Sequence, residues 1–317
     1  MVFTMVDRGR WRRSGAAALA ALGVLLAGCS SAPAPRAAEL EEDARPVVLT
    51  TFTVLADIAR NVAGERLRIE SITKVGAEIH GYEPTPGDLR RAAHADLILD
   101  NGLGLEAWFE QFVAELDVPH AVVSEGLEPI PVTHDSYAGH ANPHAWMSPA
   151  GGAHYALAMA EAFAQLDPAG AGEFRSNADE YAGELERLHD DLLRAVAAVP
   201  ARARVLVTCE GAFSYLARDA GLEEAYIWPV NAEQQATPRR VARVIDLVRD
   251  REVPAVFCES TVSAQPMERV AESTAARLGG TLYVDSLSEP DGPVPTYLDL
   301  LSHDIAVIVA GLTGASS

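Results

Sequence analysis

The sequence predicts an α/β protein of two lobes, each a parallel sheet flanked by helices, joined by one long rigid helix. Short apolar runs alternate with amphipathic stretches of helical spacing along residues 47–167, and the same alternation returns along 205–312. Strands that alternate with helices in this way form parallel sheets covered on both faces. Between the two series lies one uninterrupted helical pattern, 172–199. In it Phe174, Tyr181, Leu185, Leu188, Leu192 and Leu193 recur near a 3.6 period, with charges between them. At 1.5 Å per residue it spans roughly 40 Å, more than one small lobe needs.

The elements follow in chain order. Arg8, Arg10, Arg12 and Arg13 precede an Ala/Leu-rich run, 16–27. The run is too short for a stable membrane span and fits the apolar part of an export signal. Arg12-Arg13 matches twin-arginine export poorly, so the general route is expected. The run ends in Leu26-Ala27-Gly28-Cys29, whose four residue types read as a lipobox. Residues 1–28 are then a lipoprotein signal peptide and the Cys29 thiol takes the lipid. A cysteine that merely follows an ordinary signal peptide is the alternative. Residues 29–45, rich in Ala, Pro, Ser and Glu without periodicity, read as a flexible tether.

The N-terminal lobe is expected over 46–170. Its strands are 47–51, 67–75, 96–100 and 121–123. Its helices are 54–62, 86–93, 105–116 and one that starts at Ser148-Pro149 and ends before Asp167-Pro168. Thr85-Pro86-Gly87-Asp88 has the form of a helix start, with Thr as cap, Pro in the first turn and an acid at the third position. The connecting helix takes 171–200. The C-terminal lobe, 201–317, carries strands 205–208, 225–228, 255–258 and 282–284, with helices 211–220, 237–250, 266–278 and 297–312. No later stretch is long and apolar enough for a transmembrane helix.

The formal charge is −20, and removing residues 1–28, with four Arg and one Asp, takes it to −23; Lys74 is the only lysine. That balance argues against nucleic acid, whose phosphates need a basic surface. It is compatible with cation capture, although solubility alone explains it. With Cys29 assigned to the lipid, Cys209 and Cys258 remain, each after a short apolar run. A bridge between them is open in an oxidising compartment. Buried free thiols are the plainer expectation.

Four residues sit just past expected strand ends or before a helix start: His80, His144, Glu210 and Asp285. Two fall in each half of the chain, so a cleft between the lobes can gather them. Imidazoles and carboxylates are the donors that hold first-row divalent metals. Each residue taken singly is also readable as an ordinary loop polar group, a helix cap or a solvated acid, and the wide spacing is no local motif.

The segments around them are more specific. Gly81-Tyr82-Glu83-Pro84-Thr85-Pro86 follows His80, and Asn101-Gly102-Leu103-Gly104-Leu105-Glu106 and Asn142-Pro143-His144-Ala145-Trp146 come next. Later come Glu210-Gly211-Ala212-Phe213, Tyr226-Ile227-Trp228, Thr237-Pro238 and Glu259-Ser260. Across nearly the whole chain after the signal, the sequence resembles the zinc/manganese solute-binding lipoproteins of ABC importers, the cluster A-I family. The resemblance implies a metal at the lobe interface, with His80 and His144 from the first lobe and Glu210 and Asp285 from the second. It also implies an ABC permease and its ATPase as partners, a lipid anchor on the extracytoplasmic face of the cell membrane, and a monomer.

One departure bears on the metal. Zinc-importing members carry a third His where Glu210 stands, and a long His-rich acidic loop; here that loop holds only His134, Asp135 and His140. Two imidazoles with two carboxylates form an oxygen-richer site that suits Mn(II) more than tetrahedral Zn(II), while Fe(II) has similar preferences. Mn(II) is therefore the expected cargo, with Zn(II) import as the alternative. An adhesin would share the site. A metallohydrolase is the rival from another class, but four protein ligands leave little room for a catalytic water, and His-Glu-x-x-His and Gly-x-Ser-x-Gly are absent. Glu106 and Glu259 read as helix-start or supporting groups, and no enzyme activity is expected.

Overall fold

Strand β1 (Val47–Thr50) lies between β2 (Arg68–Ser71) and β3 (Leu97–Asp100), and β4 (His120–Val122) pairs with β3 at the far edge; all pairings are parallel. The computed structural model describes residues 43–109, 116–133, 137–230 and 236–314, and from Arg45 onward the chain clusters as one compact unit. The signal segment and Cys29 lie outside the described residues, as does part of the expected helix 105–116.

The second half contributes two strand pairs. Strand β5 (Val205–Glu210) pairs in parallel with β6 (Glu223–Trp228), and β7 (Ala255–Glu259) with β8 (Arg277–Leu282). All six residues of β5 and all five of β7 are buried, which is why both read as near-continuous apolar runs. A disulfide between Cys209 and Cys258 joins β5 to β7. The expectation of free thiols is corrected: the two cysteines occupy matching positions, each one residue before the last of its strand.

The helices are α1 (Thr53–Ala63), α2 (Pro86–Ala93), α3 (Pro149–Leu166), α4 (Ala171–Ala197), α5 (Ser214–Ala220), α6 (Pro238–Asp250), α7 (Gln265–Glu272) and α8 (Tyr297–Thr313). The Thr85 capping box is present: its hydroxyl accepts from Asp88 N–H, and the Asp88 carboxylate accepts from Thr85 N–H at 2.8 Å. The long helix α4 buries Phe174, Ala178, Tyr181, Ala182, Leu185, Leu192 and Val196. It packs against α3, α1 and α8. One continuous apolar core runs from Val48 and Phe52 through Leu185 to Leu206, Leu282 and Leu300. Each such buried Leu contributes about 1.5–3 kcal/mol by leaving water. The joint between the lobes is thus a bundle of helices around α4, stiffer than a single strut.

Several boundaries differ from expectation: strand β6 begins at Glu223, the helix expected from 211 begins at Ser214, and the strand expected over 282–284 is displaced to Arg277–Leu282. Strand β2 ends at Ser71, so His80 stands nine residues beyond it. Strand β5 extends to Glu210, which is its last residue. The helix expected over 266–278 stops at Glu272, and Arg277–Leu282 is strand β8. Gly279 and Gly280 hide this strand in the sequence. Yet a Cβ at Gly279 would stand 2.2 Å from the Phe257 ring, and at Gly280 2.8 Å from Val307. The two glycines let β8 lie close against β7 and α8.

Candidate metal centre

The structure brings His80, His144, Glu210 and Asp285 together at the edge where the two lobes face one another. The Nε2 atoms of His80 and His144 are 3.0 Å apart. Glu210 Oε1 lies 3.3 Å from His80 Nε2 and 3.7 Å from His144 Nε2. Donor atoms of His80, His144 and Asp285 all fall within 4.8 Å of one another. Donors about 2.1 Å from a first-row ion stand about 3.0–3.5 Å from one another; the His80–His144 and His80–Glu210 distances fall in that range, and Asp285 stands close enough to join them with a small closing movement. Asp285 is 1% exposed, and its Oδ1 has no hydrogen-bond partner among the described residues. A buried carboxylate oxygen without a donor is costly unless a cation meets it.

His144 is firmly braced. Its N–H donates to Asn142 Oδ1 at 3.0 Å, and its Nδ1 lies 2.8 Å from the same oxygen. Asn142 Nδ2 donates to Gly211 O at 2.6 Å and Ser214 Oγ at 3.0 Å, both in the second lobe. Tyr215 Oη donates to Asn142 O at 2.9 Å, and Trp146 Nε1 to Val284 O at 3.1 Å. Asn101 Nδ2 donates to Pro143 O at 3.0 Å, and the Asn101 and Gly102 N–H groups donate to the Glu106 carboxylate. On the other side, Glu210 N–H is 3.3 Å from both carboxyl oxygens of Glu259, and Thr261 Oγ1 donates to Asp285 Oδ2 at 3.1 Å.

Residues 48–311 match the ZnuA family, described as the periplasmic component A of a zinc-uptake complex. The chain belongs to this family. It is 50% identical to the iron-binding protein YfeA of Yersinia pestis over 265 residues, covering 83% of this chain and 85% of that protein. It is 32% identical to the metal ABC transporter substrate-binding lipoprotein FimA of Streptococcus parasanguinis, over 84% of this chain and 89% of that one. The Mn-bound periplasmic metal binding protein of Candidatus Liberibacter asiaticus superposes with a TM-score of 0.80 at 37% identity, covering 84% of this chain and all of that one. These bear out both the resemblance read from the motifs and the two-lobed α/β class.

Within this family fold the electrostatics favour ligation. Burial holds the His80 imidazolium down to about 4, and burial and then the neighbouring His80 hold His144 well below its usual range. Both rings are therefore neutral near pH 7, the form that binds a metal. Burial, and then the charge of Glu78, push Asp285 up to about 7. Two buried carboxyls support the site without touching both imidazoles. Burial raises Glu106 and Glu259 each to about 8. They serve as the supporting groups expected of them, holding the 101–106 turn and the end of β5.

Of the loop residues, His140 is exposed and apart from the cluster; His134 and Asp135 lie outside the described residues. Four contributors went unassigned in the sequence: Asn142, Thr261, Glu78 and Ser286. Asn142 was legible in principle, because an Asn two residues before a His reaches back to its N–H and ring. Thr261 and Ser286 meet their partners only through the tertiary fold.

Proposed function

We propose that this chain is the extracytoplasmic metal receptor of an ABC importer, and that His80, His144, Glu210 and Asp285 hold one divalent transition metal as cargo. The gathering of His80, His144 and Asp285 within 4.8 Å of one another, with Glu210 Oε1 beside both imidazoles and Asp285 Oδ1 without a hydrogen-bond partner among the described residues, supports the reading. Two neutral imidazoles with two carboxylates offset the ion's double charge in a dry cleft, where an unpaired charge is very costly. On this reading the lobes divide at about residues 170 and 200, the lipid on Cys29 keeps the receptor beside its permease and ATPase, the chain acts as a monomer, and it catalyses no reaction.

Mn(II) is the cargo this donor set favours. Bidentate carboxylates raise the coordination number above four, which suits Mn(II) better than tetrahedral Zn(II). The 50% identity to a protein named for iron supports Fe(II) as the second reading. Affinity in a tube does not choose between them, because Zn(II) outcompetes Mn(II) and Fe(II) at most nitrogen–oxygen sites. The test is metal analysis of the protein purified from its native envelope, by mass spectrometry under non-denaturing conditions. One equivalent of manganese is expected. One equivalent of iron or zinc would move the cargo assignment, and a protein that takes up no metal even on addition would sink the receptor reading.

A further inference from the structure

The two imidazoles are held very differently. His144 is braced through Asn142 to Gly211 and Ser214, and its segment is tied again through Tyr215 and Trp146. For His80, the ring's polar partners among the described residues are His144 and Glu210, and its Nδ1 makes no hydrogen bond among them. A metal-binding imidazole is normally oriented by a bond from its other ring nitrogen. His80 lacks that bond to protein, so its position depends on the backbone that carries it.

That backbone is the loop from Lys74 to Gly81, where Lys74, Val75 and Gly76 are exposed. Within the loop, the Glu78 carboxylate accepts from His80 N–H at 2.8 Å and Gly81 N–H at 3.0 Å, so residues 78–81 move as one piece. The loop's bond to the second lobe is Gly76 N–H to Ser286 Oγ, at 2.6 Å. Ser286 is 3% exposed and held in place: its hydroxyl donates to Leu287 O at 2.9 Å, and Thr53 of the first lobe accepts from Leu287 N–H at 3.0 Å and donates to Ser286 Oγ at 3.5 Å. It directly follows Asp285.

We propose that Ser286 is a positioning residue for His80. By accepting from Gly76 N–H it latches the His80 loop to the second lobe, and opening of this latch makes His80 the first donor to leave when metal is released. This rests on the receptor reading above and adds the order of release to it. The geometry gives the latch the right strength. Gly76 is exposed, so water replaces the Ser286 bond when the loop lifts, and one exchangeable hydrogen bond is worth a modest factor. At φ +77 Gly76 sits in the left-handed region, which lets the loop turn sharply toward Ser286.

The test uses the purified protein loaded with Mn(II) and stopped-flow release into excess chelator. Ser286→Ala is expected to speed release about three- to tenfold, with the association rate unchanged; Ser286→Thr restores the slow rate. The acceleration should vanish in a His80→Ala background and persist in a His144→Ala background. Unchanged release in Ser286→Ala would overturn the proposal, as would an acceleration that survives His80→Ala. Failure of the receptor reading is separable, because hydrogen exchange of Gly76–Gly81 in the metal-free protein reads the latch without any ion. Ser286→Ala must raise that exchange, and no rise would overturn the latch independently.

Discussion

The two lobes hold their shares of the candidate metal centre by different means. In the second lobe, Glu210 is the last residue of β5 and Asp285 follows β8 by three residues. Paired backbone, the Cys209–Cys258 bridge and the Glu259 carboxylate beneath Glu210 fix these carboxylates from behind. In the first lobe, His80 and His144 stand nine and twenty-two residues past their strands. Side-chain hydrogen bonds must place them instead. Moving a second-lobe donor means moving a sheet, whereas moving a first-lobe donor means exchanging a few bonds for water. The second lobe is thus the fixed half of the site and the first lobe the adjustable half, with His80 the looser of its two donors.

The sharpest way to break this comparison is to remove a fixed donor. Glu210→Ala or Asp285→Ala is expected to weaken Mn(II) binding by at least about 100-fold, since each leaves a buried cation short of an anion. Calorimetric titration reads the affinity. The metal-free melting temperature should hold or rise, because each change also removes a desolvated carboxyl that the empty site bears at a cost. Melting that falls in step with affinity would mark the residue as structural. Glu210→His sharpens the same point: it should move preference toward Zn(II), and unchanged discrimination would count against Glu210 as a ligand.

A smaller effect separates the two imidazoles. Asn142→Ala removes the group that orients His144, and losing such a supporting partner costs about 10- to 100-fold in metal affinity. The loss should exceed that of Ser286→Ala, because Asn142 touches the ring itself and two groups of the opposite lobe. Equal losses in the two variants would erase the distinction between the braced and the latched donor.

How much of this the sequence shows follows from the same contrast. Buried strands such as Val205–Glu210 and Ala255–Glu259 announce themselves by apolar runs, and Thr85-Pro86-Gly87-Asp88 announces a helix start, because these signals are local. Strand β8 stays hidden because Gly279 and Gly280 are chosen by Phe257 and Val307, residues far off in the chain. The four converging side chains were visible as positions after strands. Their convergence was not derivable from spacings of dozens of residues, and the family resemblance supplied it. The disulfide is a property of two strands coming side by side, which no local pattern encodes. Ser286 likewise acquires its role only when Gly76 arrives beside it.

The smallest effect distinguishes the two supporting carboxyls, one in each lobe. Burial holds both Glu106 and Glu259 up to about 8, against an ordinary glutamate near 4.5. Such an acid keeps its proton better in the folded chain than in the unfolded one. Its contribution to stability is therefore full below about 4.5 and is lost as pH rises through about 8. Metal-free protein should melt at progressively lower temperature from about pH 6.5 to pH 8, above the range in which the depressed His80 and His144 add stability with rising pH, and Glu106→Gln or Glu259→Gln should each flatten that slope. The charge beside each differs, being Asp100 for Glu106 and Asp285 for Glu259. A bound cation neutralises Asp285 and leaves Asp100 alone. Loading with Mn(II) should then shrink the share of the slope that Glu259→Gln removes and leave the Glu106→Gln share intact. Equal responses of the two to metal would mean that the ion's charge does not reach Glu259 through Asp285, and the second lobe would lose its place as the half of the site wired directly to the cargo.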